Sequence, residues 1–89
     1  MIITPHPKFK KAYQKRIKPN PKLIRQTSKR IKLFQENPDH PLLKDHALKG
    51  SKLGLRAFSV TGDIRIIYKF KSANTAIFLD IGTHNQVYH

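Results

Sequence analysis

The sequence predicts an α+β domain: an N-terminal edge strand and a two-helix hairpin packed on one face of a small antiparallel β-sheet. Three observations carry that prediction. The first half holds two segments whose apolar residues recur at helical spacing. The second half holds three β-branched and aromatic runs of strand length, separated by short turn-forming stretches. The chain has 89 residues, 38% of them hydrophobic, enough for one layer of helix on sheet around one core, so a single domain over residues 1–89 is expected.

In chain order, "MIIT" (residues 1–4) is short and apolar and reads as an edge strand. "PKFKKAYQKRI" (7–17) sets Phe9, Ala12, Tyr13 and Ile17 on one helical face and lysines on the other. "KPNP" (18–21) interrupts the pattern, and Asn20 before Pro21 reads as an N-cap with proline at the first helical position. A second helix then runs to about Gln35, with Leu23, Ile24, Thr27, Ile31 and Phe34 on one face. "ENPDHP" ends it, because proline disfavours helix in the residue before it. "HPLLKDHALKGSK" (40–52) has little periodicity, and a loop of that length in a compact domain is often functional.

"LGLRAFSV" (53–60), "DIRIIYKF" (63–70) and "TAIFLDI" (75–81) are expected to be the strands of an antiparallel meander, joined by "TG" and "KSAN". Ile64, Ile66, Tyr68 and Phe70 alternate with Arg65, Ile67 and Lys69, a period of two. Arg65 should therefore lie on the sheet face that the helix hairpin leaves uncovered.

Charge limits the partners. Eighteen Lys and Arg against five Asp and Glu give a formal net charge of +13. Residues 1–35 carry eleven cations, from Lys8 to Lys32, and no acid. So one-sided a surface repels itself and fits a polyanion: nucleic acid first, then an acidic protein, then an anionic membrane surface. There is no cysteine, hence no disulfide, thiolate chemistry or zinc–cysteine site. No stretch approaches the roughly 20 apolar residues of a membrane span, and the N-terminus lacks the apolar core of a signal peptide. A cytoplasmic protein is expected.

Some residues can carry chemistry. Arg56 and Arg65 sit on neighbouring strands, and an arginine fork can hold a phosphodiester and stabilise its developing charge. The plainer alternative is a solvated strand arginine, or one paired with Asp63 or Asp80. His46 lies in the long loop, His84 just past the last strand and Asp63 in the turn. Cleavage of RNA without a metal needs a base for the 2′-hydroxyl, an acid for the departing 5′-oxygen and a cation for the phosphorane. Two histidines and an arginine satisfy that list, although a loop histidine taken alone is more often polar surface. His6 and His40 adjoin prolines and His89 ends the chain, so these three fit the plain surface role. Nothing has metal-ligand spacing, and no metal or cofactor is expected. Tyr88 could stack on a base or close the end of the core.

The stretch "DHALKGSKLGLRAFSVTGDIRIIYKF" (45–70) and the later "DIGTHNQVY" (80–88) resemble the RelE/ParE superfamily of bacterial type II toxins, and within it the YafQ-like mRNA interferases. The resemblance spans most of the chain, and the "R…GD.R.IY" and "GTH…Y" motifs are specific in combination. It implies the same strand, helix-hairpin and antiparallel-sheet fold. It also implies ribosome-dependent, metal-independent cleavage of mRNA, and silencing by a cognate antitoxin in a hetero-oligomer. His46 matches the family's loop histidine, Asp63 the acid opening the second hairpin strand, His84 the histidine of "GTH" and Tyr88 the nearby aromatic. Arg65 matches the strand arginine of the RelE-like branch. Two positions depart from the pattern: Ser59 stands where YafQ-like enzymes have a further histidine, and Ala57 where they have an acid.

The expected function is therefore that of a ribosome-dependent mRNA endonuclease toxin. His46 and His84 would be the acid–base pair with roles unassigned, Arg65 would stabilise the scissile phosphate, and Asp63 would orient a neighbour. Arg56, Lys49, Lys52 and Tyr88 would contact RNA. The expected partners are the antitoxin, ribosomal RNA and mRNA, with no membrane. The alternatives are a ParE-like toxin that inhibits DNA gyrase by binding, and a weakly active homologue that mainly binds its antitoxin.

Overall fold

Proline opens both long helices. His6 caps α1 (Pro7–Arg16), its Nδ1 accepting the Lys8 N–H at 3.0 Å, and Asn20 caps α2 (Pro21–Glu36), its Oδ1 accepting from Lys22 and Leu23 at 3.0 and 3.3 Å. α2 stops at Asn37, immediately before Pro38, as the ban on helix ahead of proline requires. The computed structural model describes residues 1–88, and His89, read from the sequence as plain surface, lies outside the described residues.

The strands are β1 (Ile2–Pro5), β2 (His46–Ala47), β3 (Arg56–Ser59), β4 (Ile64–Ser72) and β5 (Thr75–Thr83), and a short helix α3 (His84–Tyr88) follows. They form one five-stranded sheet in the order β1-β5-β4-β3-β2. The expected antiparallel meander is β3-β4-β5, and β1 adds itself to β5 in parallel, pairing Ile2 with Thr75 through Pro5 with Phe78. The sheet is thus mixed, because the edge strand returns beside the last strand of the meander.

α1 and α2 cover one face. Phe9, Ala12, Ile17 and Phe34 are buried there against Phe58, Ile66, Tyr68, Phe78 and Ile81. Phe34 stacks on Phe58 with ring centroids 4.6 Å apart and meets Tyr68 edge-on at 4.8 Å. Each such ring contributes about 1.5–3 kcal/mol on burial, which makes this cluster the main source of stability. Phe70 continues the inward alternation of β4 but is 44% exposed, its ring edge-on to Tyr68 with centroids 5.4 Å apart.

Two further differences bear on the site. The region 53–60 yields a strand only over Arg56–Ser59, because Gly50 (φ 64°) and Gly54 (φ 91°) turn the chain in conformations that residues with a Cβ rarely adopt. The segment 40–52, expected to be irregular, holds 3₁₀ turns at Pro41–Leu43 and Gly50–Lys52 with β2 between them. The sheet's other face is not bare either. Leu48, Ala57, Ile67 and Val87 form a second, smaller core there, with Leu55 and Tyr88 against it. Among the described residues no helix is long and apolar enough to cross a membrane.

Candidate functional site

Side chains directly opposed across a strand pair project from the same face, and register therefore locates the site residues. Ser59 pairs with Arg65, and His46 pairs with Ala57, which pairs with Ile67. Ala57 and Ile67 belong to the smaller core, so Arg65 and His46 lie on the face opposite α1 and α2. That is the face expected for Arg65.

The chain's last described turn closes onto this face. Thr83 and Gln86 form a reciprocal cap at the start of α3. The Gln86 Oε1 accepts the Thr83 N–H at 2.8 Å, and the Thr83 Oγ1 accepts the Gln86 N–H at 3.3 Å. Gly82 makes room for it, since a Cβ there would lie 2.6 Å from Gln86 Oε1 and 2.8 Å from Arg16 Nη1. Arg16 in turn reaches from α1 to the Ile81 carbonyl at 2.9 Å and the Asp80 carboxylate at 3.3 Å. Asp80 sits at a register shift in β5, where Ile67 opposes Asp80 but Tyr68 opposes Phe78, and the irregularity turns its carboxylate toward α1.

α3 buries Val87 in the small core and leaves His84 exposed, its ring edge-on to Tyr88 with centroids 4.5 Å apart. Burial raises the Tyr88 hydroxyl above the usual phenol range, and the nearby Arg65 charge partly offsets that. The buried Tyr88 hydroxyl finds no hydrogen-bond partner among the described residues. Tyr88 thus joins His84, Arg65 and the small core.

Arg65 Nη1 donates to the carbonyls of Asp63 at 3.1 Å and Gly62 at 3.4 Å, which braces its guanidinium against the turn. Its other donors have no partner among the described residues. The Asp63 carboxylate is exposed, and its main-chain N–H donates to Thr61 Oγ1 at 3.2 Å. His46 is exposed, with Nδ1 3.0 Å from the Lys44 carbonyl. A carbonyl can only accept, so Nδ1 carries the proton and neutral His46 presents a bare Nε2 to solvent. Lys49 is exposed just ahead of the second 3₁₀ turn, and Lys52 is half-buried at its end. Ser59 is buried opposite Arg65, and Ala57 lines the small core.

Arg56 does not share this face. It pairs with Tyr68, a member of the main core, and its Nε and Nη2 donate to Asp45 Oδ1 at 2.8 and 2.7 Å. The Tyr68 hydroxyl donates to the other carboxylate oxygen, and burial followed by that hydrogen bond pushes the phenol well above its usual range. The Asp45 contact likewise raises Arg56. Asp45 was not singled out from the sequence, since its partners lie 11 and 23 residues away. Two histidines taken as surface are local caps: His6 on α1, and His40 on the first 3₁₀ turn, where its Nδ1 accepts the Leu42 N–H at 3.1 Å. Arg30 of α2 ties the Leu42 and Ser59 carbonyls together at 3.0 and 3.2 Å. The Thr83–Gln86 cap was legible as T-x-x-Q but was not read.

Chemically, the outer face offers two solvent-facing imidazoles, a braced guanidinium with spare donors and a tyrosine. Among the described residues no three His, Asp or Glu side chains gather where they could hold a metal ion.

Residues 1–89 match the family described as bacterial toxin of type II toxin-antitoxin system, YafQ. No curated protein sequence matches the chain. Among solved structures, YafQ from E. coli in complex with DinJ is 25% identical, with 98% of this chain and 97% of that one covered and a TM-score of 0.79. A metal-bound toxin from Helicobacter pylori is 27% identical, with 99% of each chain covered and a TM-score of 0.79. A YoeB/ParE toxin from Agrobacterium tumefaciens is 18% identical over 94% of this chain and 99% of that one, with a TM-score of 0.77, a likeness of fold alone.

Proposed function

The chain belongs to the YafQ family of type II toxins, and we propose that it acts as a ribosome-dependent, metal-independent mRNA endonuclease that inhibits translation. The observation that carries this reading is the outer sheet face, where His46, Arg65, Tyr88 and His84 stand around one small core with both imidazoles exposed.

In this mechanism the bare Nε2 of His46 takes the proton of the 2′-hydroxyl, whose oxygen attacks the adjacent phosphorus. The bond to the 5′-oxygen breaks, and His84 in its protonated form donates to that leaving oxygen. The products are a 2′,3′-cyclic phosphate and a free 5′-hydroxyl. Arg65, braced by the turn, directs its remaining donors at the pentacoordinate phosphorane, whose charge exceeds that of the ground state. Tyr88 supports a base or the His84 ring by stacking. Asp63 orients the turn that braces Arg65, and Lys49 and Lys52 contact the mRNA backbone. Ser59 leaves the site with one proton-transfer group fewer than the family pattern, so activity rests on two histidines.

The exposed cations of residues 1–35, all but Arg16 and Arg30, dock on ribosomal RNA, and the ribosome aligns the mRNA. The protein works in the cytoplasm as a single domain over residues 1–89, needs no cofactor, and is silenced by an antitoxin that binds it as a hetero-oligomer. The DinJ–YafQ complex supports that partner. The test is mRNA cleavage mapped by primer extension in a reconstituted translation system, with and without ribosomes. Codon-phased cuts that need ribosomes are expected. A well-folded protein that cuts nothing overturns the reading and makes inhibition of gyrase supercoiling the next assay.

A further inference from the structure

β2 carries a proposed reacting group on little pairing of its own. Its register rests on two residue pairs, His46 with Ala57 and Ala47 with Arg56, followed by one bond from the Leu48 N–H to the Leu55 carbonyl at 2.9 Å. A slip of one residue would carry His46 to the opposite face, among the aromatic rings of the main core. Something outside the strand must hold it.

The residue before His46 is anchored on that opposite face. The Asp45 side chain is 10% exposed, and both oxygens are engaged: Oδ1 by two donors of Arg56 at 2.7 and 2.8 Å, Oδ2 by the Tyr68 hydroxyl. Arg56 stands on β3 and Tyr68, 1% exposed, on the central strand β4, so the loop is tied to the rigid middle of the sheet. Lys44, one residue further back, takes a left-handed conformation (φ 48°, ψ 39°) that a side-chain-bearing residue seldom adopts without being held. Its carbonyl is the group that receives the His46 Nδ1–H. The turn at Lys44, the anchor at Asp45 and the imidazole of His46 are consecutive.

We infer that Asp45, gripped by Arg56 and Tyr68, is a positioning clasp that fixes the register of β2 and so delivers His46 to the face of Arg65, Tyr88 and His84. Asp45 touches no substrate in this arrangement; it acts through His46. The consequence for the reaction rests on His46 serving the cleavage proposed above, whereas the consequence for the loop does not.

The test uses the full chain as Asp45→Ala and, keeping the buried ring, Tyr68→Phe. Amide exchange is followed by NMR, and single-turnover cleavage is measured on ribosomes programmed with a defined mRNA. In Asp45→Ala the amides of His46 and Leu48, which face β3, should exchange about tenfold faster or more while those of β4 and β5 keep their wild-type rates. The rate constant of cleavage should fall about 10²-fold with KM unchanged, the signature of a misplaced group and not of lost binding. Tyr68→Phe should show the same pattern, weaker. Unchanged exchange at His46 and Leu48 in both variants would overturn the clasp. Loosening of β4 and β5 as great as that of the loop would do so too, by making Asp45 a general core contact. If wild type cuts no mRNA, the catalytic reading falls, and the exchange rates decide the clasp by themselves.

Discussion

Under α1 and α2 the sheet packs against stacked aromatic rings, and the polar groups at its margin are occupied: Asp45 by Arg56 and Tyr68, Asp80 by Arg16, and the carbonyls of Leu42 and Ser59 by Arg30. On the other face Leu48, Ala57, Ile67 and Val87 make a core too small to hold much, and around it His46, His84 and Arg65 keep hydrogen-bonding capacity that is unused among the described residues. The difference separates two jobs. Groups already satisfied within the fold stabilise it, and groups held in place but not saturated are free to meet a substrate.

The contrast can be broken from either side. On the inner face, Phe34→Ala should lower the free energy of unfolding by about 3–5 kcal/mol, because a fully buried ring with three aromatic neighbours leaves a cavity that cannot collapse; urea titration measures it. On the outer face, Gly82→Ala should cost about 1–2 kcal/mol, the worth of a helix cap. The new methyl must displace Gln86 and Arg16, so exchange should rise first at the amides of 84–88.

A smaller effect concerns alkaline pH. Tyr68 titrates above its usual 10.0 in the folded protein, by burial and then by its bond to Asp45. Above pH 10 the unfolded chain therefore releases a proton that the folded state retains, and stability present below that pH is lost as pH rises. Tyr88 adds to the same slope. Unfolding free energies measured above pH 10 should fall more steeply for wild type than for Tyr68→Phe. Smallest is Lys29→Ala on the exposed side of α2: stability should stay within about 0.5 kcal/mol. The slope of log affinity for ribosomes against log salt should shrink by about one, as expected for one lost phosphate contact.

Much of the inner face was legible in the sequence. The Asn20–Pro21 start, the stop before Pro38, and the buried Phe9, Ala12, Ile17 and Phe34 follow from caps and helical spacing. The outer face was less so, for definite reasons. In β3 both Ala57 and Phe58 are buried, on opposite faces, and two-sided burial erases the period of two that would have assigned Arg56 to the inner side. The parallel pairing of β1 with β5 depends on residues more than 70 positions apart, which no local pattern reports. β2 has two residues, too few for alternation to show. His46, Arg65, His84 and Tyr88 stood out by residue chemistry and strand alternation, and family resemblance gave them roles, whereas the meaning of Asp45 lies in partners 11 and 23 residues away.

The division between the two faces is tested most directly at His84, which is exposed and meets the Tyr88 ring edge-on. Single-turnover mRNA cleavage on ribosomes would be measured for wild type and His84→Ala, together with their melting temperatures. The account predicts a loss of about 10²–10⁴-fold in rate, the usual worth of a general acid, with melting unchanged. Cleavage at the wild-type rate by a folded His84→Ala protein would contradict it.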